Sequence, residues 1–213
     1  TALSLLIAFR LPTTRGDVEK REGSSLLVRP KPIDVLYFLQ GFGVDGVFAM
    51  SITLIFAQNA SLSDAVMAGS ALLAMRHFGE AIAAPLFGWI ADRFGARRVF
   101  VLATFMMTIG FGLVALGLTI LGALIMLIFR GALASLGPAV VTQELALGKN
   151  PIGPLARMQA WRDFGAACGP LITGYMLTLL SAEILYAAVT AVLSVSLIYW
   201  LSVSINGHGQ GEN

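Results

Sequence analysis

Six stretches of this chain are long and apolar enough to cross the hydrocarbon core of a bilayer, which takes about 20 residues as a helix. They are Ile33–Ala57, Asp64–Ile90, Val99–Leu116, Ile120–Leu145, Met158–Leu179 and Ile184–Ile205. A water-soluble globule has no room for so many. With 57% hydrophobic and 12% charged residues, the chain carries about half the usual charged share of roughly 25%. That leaves too little polar surface for a soluble fold. It also excludes intrinsic disorder, a basic nucleic-acid binder and a secreted disulfide scaffold. The lone cysteine, Cys168, can form no internal bridge. The sequence therefore specifies an all-α membrane protein, a six-transmembrane-helix bundle in a lipid bilayer with no nucleic-acid partner. Glycines and prolines interrupt the spans (Gly41, Gly43, Gly46, Pro85, Gly110, Gly112, Pro138, Pro170). Membrane helices accept them because neighbouring helices re-satisfy the freed backbone groups.

Residues Thr1–Phe9 are apolar, but as a helix they would span only ~14 Å. They read as the stump of a preceding transmembrane helix, and the chain accordingly as a fragment. Residues 10–32, rich in Pro, Gly, Ser and mixed charge, read as a cytoplasmic linker with little fixed structure. Residues 33–205 form the expected bundle and 206–213 a frayed cytoplasmic tail. Asn59-Ala60-Ser61 matches the glycosylation pattern, a match common by chance.

Basic residues set the orientation. Arg10, Arg15, Lys20, Arg21, Arg29 and Lys31 precede the first span. Arg93, Arg97 and Arg98 lie between spans two and three, and Lys149 and Arg157 between spans four and five. The alternate connections contain none. This alternation predicts an integral, multi-pass protein of the plasma or inner membrane with both ends of this chain in the cytoplasm.

The other three basic residues lie inside spans, where a charge costs about 2.5–3.5 kcal/mol on insertion scales. Span one carries Asp45, span two Arg76, His77 and Glu80, span four Arg130, and span five Arg162 and Asp163. Spans three and six carry none. Two charged spans followed by a clean one, repeated once, predicts two three-helix repeats in which the third helix faces lipid and the others line a polar interior. Arg76 and Glu80, four apart, can pair on one helix face, either as a functional pair or as a self-neutralising one. Arg130 has no acid within a turn of its own helix and needs Asp45 or Glu80 from another. Buried carboxylates take up and release protons as their surroundings change, which makes Asp45 and Glu80, with Arg76 and Arg130, the candidate substrate and proton-coupling residues. His77 is expected to pack as a neutral side chain, the alternative being a proton relay.

Between spans two and three runs Gly88-Trp89-Ile90-Ala91-Asp92-Arg93-Phe94-Gly95-Ala96-Arg97-Arg98. Such a string suits a tight helix-to-helix turn, with Gly95 free to take unusual dihedrals and the arginines at the anionic inner leaflet. It closely resembles the signature loop of the major facilitator superfamily. Phe129-Arg130-Gly131 resembles that superfamily's arginine-bearing fourth helix. Gly165-Ala166-Ala167-Cys168-Gly169-Pro170 resembles its Gly-Pro-rich fifth helix, although the spacing after Pro170 departs from the antiporter form. Gly165, Gly169 and Pro170 are expected to serve helix packing. The resemblance spans essentially the whole chain and implies the C-terminal half of a twelve-helix transporter, partnered by an N-terminal six-helix half. It also implies a mid-membrane solute site and alternating access. A cytoplasmic gate would comprise Gly88, Asp92, Arg93, Gly95, Arg97, Arg98, Arg162 and Asp163. Within it Asp92 would meet Arg162, and Asp163 would meet Arg93 or Arg97.

No enzyme motif, phosphate-binding loop or metal-ligand cluster occurs in the sequence, so neither cofactor nor metal is expected. A sugar-porter Pro-Glu-Ser-Pro-Arg pattern is missing; Arg10-Leu11-Pro12-Thr13-Thr14 stands in its place. The sequence thus points to a secondary transporter of a small solute, proton-coupled, with solute or drug efflux preferred. The alternative is a transporter-like scaffold or sensor that binds a partner without transport.

Overall fold

In the computed structural model, residues 29–57, 61–143, 145 and 150–208 are described. The expected stump 1–9, most of the linker 10–32, Asn59, Lys149 and residues 209–213 of the tail lie outside them. Each apolar span becomes one long helix. These are α1 (Pro32–Ala57), α2 (Leu62–Phe94), α3 (Ala96–Ala115), α4 (Thr119–Gln143), α5 (Ile152–Met176) and α6 (Ala182–His208). Residues 206–208, expected in the tail, continue α6 instead.

Local chemistry sets the ends. Pro32 opens α1, where its missing N–H is not needed. The Lys31 backbone N–H donates to Asp34 Oδ2 at 2.8 Å. Ser61 caps α2 by accepting from the Asp64 N–H at 3.3 Å, one of the donors a helix start leaves orphaned. The Asn150 carboxamide oxygen takes the Ile152 N–H at 3.0 Å ahead of α5. A single residue, Gly95 with φ +91°, joins α2 to α3, and Gly117 with φ +84° turns α3 towards α4. These two positions need backbone angles that a side chain disfavours.

Four helices, α1, α3, α4 and the Ala182–Val203 part of α6, are both long and apolar enough to span a bilayer. With 33 and 25 residues, α2 and α5 are long enough as well. Their polar load (Arg76, His77 and Glu80; Arg157, Arg162 and Asp163) is what sets them apart.

Packing follows the expected triplets. The first helix of each triplet lies on the second of the other: α1 on α5, and α4 on α2. The third of each lies on the first of the other: α3 on α4, and α6 on α1. The two third helices also pack together. The core lies among α1, α3, α4 and α6, built from Phe48, Phe100, Phe111, Met126, Leu133 and Tyr186. The uncharged helices α3 and α6 turn one face to this core. Along the middle of each helix they expose large apolar side chains opposite, Leu102, Phe105 and Ile109 on α3 and Val192, Val195 and Ile198 on α6.

Close approach of α1 and α5 depends on glycine. Gly165 is buried against the Phe38 carbonyl and Gly169 against Gly46, with Pro170 half-buried beside them. On the other side of the bundle, Gly131 of α4 meets Ala83 and Glu80 of α2 in the same way. Small residues at such crossings let backbones touch where lipid offers no hydrophobic drive to associate.

Candidate functional site

The middle of α1 is wound more loosely than the rest. Phe42–Phe48 forms a π-helical segment, and the Ala49 N–H reaches back to the Val44 carbonyl. Such turns are rare and concentrate at functional sites. Asp45 sits in this segment and is the hub of an ion network. Its carboxylate pairs with Arg76 of α2 and lies 3.3 Å from Arg130 Nη2 of α4. Arg130 also pairs with Glu80 of α2, and Arg76 Nε lies 3.9 Å from Glu80 Oε1. The four residues alternate in sign and sum to no net charge. Inserted singly they would cost on the order of 10 kcal/mol; mutual pairing removes much of that penalty while tying three helices from both triplets together.

The structure therefore brings Asp45, Arg76, Glu80 and Arg130 into one cluster. Arg130, which has no acid on its own helix, meets both of the carboxylates available to it. His77 departs from expectation: its side chain is 75% exposed, with Nδ1 4.0 Å from Glu80 Oε2. It lies one residue past Arg76, about 100° around the helix, and so points away from the packed face.

Beside the network opens a cleft between α1, α4 and α5. Tyr37, Gln40, Asp45, Arg130 and Arg162 are in its walls. Its free space is about 30 Å³, room for about two water-sized groups. The Tyr37 hydroxyl donates to the Leu133 carbonyl at 2.7 Å and so fastens α1 to α4. Gln40 is 6% exposed, and its Nε2 has no hydrogen-bond partner among the described residues.

The expected gate contacts are not formed. Asp92 is exposed at the end of α2 and joins none of the ion pairs among the described residues. Arg162 faces the cleft instead, because α5 starts six residues earlier than the apolar run suggests and packs on α1 rather than beside the end of α2. Asp163 accepts from Gln159 Nε2 at 3.4 Å on its own helix. Arg93 lies over Trp89 at 5.5 Å and Arg97 over Trp200 at 5.8 Å, while Arg98 is exposed. Gly88 has open space where a Cβ would stand, so no contact within the described chain demands glycine there.

The tie at this end is one that sequence reasoning passed over. Asp34, fully buried, accepts from Arg157 Nε at 2.6 Å and joins the start of α1 to the start of α5. Lys31-Pro32-Ile33-Asp34 announces a helix start, yet nothing in one sequence names Arg157 as its partner. Gln40 also escaped notice, although an amide within an apolar run is a signal of the same kind as Asp45.

Comparison with known families matches residues 33–210 to the family described as Major Facilitator Superfamily. No curated protein and no solved structure matches the chain.

Proposed function

The chain belongs to the major facilitator superfamily and is thus an integral, multi-pass membrane protein of a transporter family; we propose that it moves a small solute by alternating access, coupled to protons. In this reading it is the C-terminal half of the transporter. Its partner is an N-terminal six-helix bundle, and the end bearing Arg93, Arg97 and Arg98 faces the cytoplasm by the excess of basic residues.

The observation that carries the proposal is the balanced network of Asp45, Arg76, Glu80 and Arg130, because it joins helices of both triplets through bonds that one proton can alter. Glu80 is the most exposed of the four at 29%, which makes it the point of entry for a proton. Protonated, it releases Arg130 and loosens α2 from α4. Asp45 then holds both guanidiniums alone, and the network keeps one excess positive charge until the proton leaves. Such an element has two arrangements separated by a single titration, which coupled movement requires.

The test uses full-length protein in liposomes loaded with a pH-sensitive dye, assayed against candidate solutes. Glu80→Gln is expected to abolish solute-driven proton movement while the protein still expresses and folds, and Asp45→Asn to abolish transport altogether. Wild-type flux in both variants would sink the proposal.

A further inference from the structure

Three guanidiniums and two carboxylates surround the cleft and its network. Arg76 and Arg130 are consumed by Asp45 and Glu80. Arg162 forms no ion pair among the described residues, yet it lies in the cleft wall. The cleft walls therefore carry one excess positive charge, on a half-buried side chain in the middle of α5. A second observation points the same way: Gln40, more than nine-tenths buried in the same wall, has an amide nitrogen with no partner among the described residues. A buried donor left unpaired is costly, and a half-buried guanidinium without a counter-charge adds to that cost. Both deficits are of donors, and both are met by an acceptor bearing a single negative charge.

We propose that the cleft between α1, α4 and α5 binds the oxyanion headgroup of a monoanionic solute, a carboxylate being the simplest, between the Arg162 guanidinium and the Gln40 carboxamide. This rests on the transport reading only for the claim that the bound solute is the cargo. Charge selects a monoanion: one negative charge neutralises the cleft, whereas a dianion overshoots it and a cation adds to the excess. Asp45, which also lines the cleft, does not oppose this, because two guanidiniums already share its charge. The free volume of about 30 Å³ accepts the headgroup alone, so the body of the solute projects through the mouth between α4 and α5, which scarcely touch. Arg is suited to the task because its planar fork meets both oxygens of a carboxylate.

The test compares three probes of one shape, benzoate, benzamide and benzylammonium, by calorimetric titration of full-length protein in lipid nanodiscs. Benzoate is expected to bind about tenfold or more tightly than either isostere, since a hydrogen bond to a charged group is worth that much. Arg162→Gln should erase the preference, Arg162→Lys should keep most of it, and Gln40→Leu should weaken benzoate about fivefold. Benzamide binding as tightly as benzoate to the wild type would overturn the proposal, as would unchanged benzoate affinity in Arg162→Gln. Liposome flux separates this from the transport reading. Benzoate that binds at Arg162 but never crosses leaves the site standing and removes transport, whereas flux of benzylammonium without benzoate binding removes the site and leaves transport.

Discussion

Gly46 of α1 and Gly169 of α5 stand backbone to backbone. A Cβ on Gly46 would fall 2.6 Å from the Gly169 Cα, and one on Gly169 would fall 2.8 Å from the Gly46 Cα. Neither neighbour is a flexible side chain that can step aside, so the helices themselves must part. Gly169→Leu is expected to cost about 1–3 kcal/mol, the usual range for overpacking a tight contact. A lowered melting midpoint in detergent checks it. Gly174→Leu serves as the control on the same helix, because none of the described residues lies within 4 Å of a Cβ there.

The loop motif holds two glycines with different reasons to be glycine. Gly95 takes φ +91° between α2 and α3, and an alanine held there is strained by roughly 1–3 kcal/mol. Gly88 is helical with open space around it. Gly95→Ala should therefore lower the melting midpoint by several degrees and reduce yield, while Gly88→Ala should leave stability unchanged. Equal effects of the two substitutions would refute this account of the turn.

Removing Arg157 strands a carboxylate. Asp34 is completely buried, and its Oδ1 has no partner among the described residues even with Arg157 present. Arg157→Gln is expected to cost about 3–5 kcal/mol, most of it from the charge left unpaired. Adding Asp34→Asn should return much of that loss. A double-mutant cycle on thermal midpoints measures the coupling.

Within the ion network each arginine covers for the other. Asp45 contacts both guanidiniums, and so does Glu80. Arg76→Met alone leaves both acids near Arg130, and Arg130→Met alone leaves both near Arg76. The double variant leaves neither acid a cation. Its destabilisation should exceed the sum of the singles by about 0.5–3 kcal/mol, the range for residues sharing partners. Simple additivity would mean that the four residues do not act as a unit.

Much of the architecture was legible because span length is a long-range signal that no local detail erases. The Ile33–Ala57 span and the Pro32–Ala57 helix differ by a single residue. At α5 the apolar signal is incomplete: Arg157 and Pro154 break the run, which begins at Met158 although the helix begins at Ile152. That shift places Arg162 about two further turns into the helix than the apolar run implied, and it explains why a gate residue was expected where a cleft residue stands. The grouping of Asp45, Arg76, Glu80 and Arg130 followed from the cost of lone charges in lipid, which forces them to find one another. The π-helical turn under Asp45 was not legible, because Phe42–Phe48 holds no proline or other break in the helical pattern to mark it. The pairing of Asp34 with Arg157 was hidden for a related reason: each looked locally complete, one as a cap and one as a basic loop residue.

Because Asp45, Arg76, Glu80 and Arg130 cancel, the electric field across the bilayer does no net work on them if they shift together. Voltage acts on whatever charge is left over, about 2.3 kcal/mol per elementary charge for each 100 mV crossed. Among the residues lining the cleft the leftover charge is Arg162. An empty cleft would feel that force, and a cleft filled by a monoanion would not, so the loaded and unloaded forms should respond differently to membrane potential.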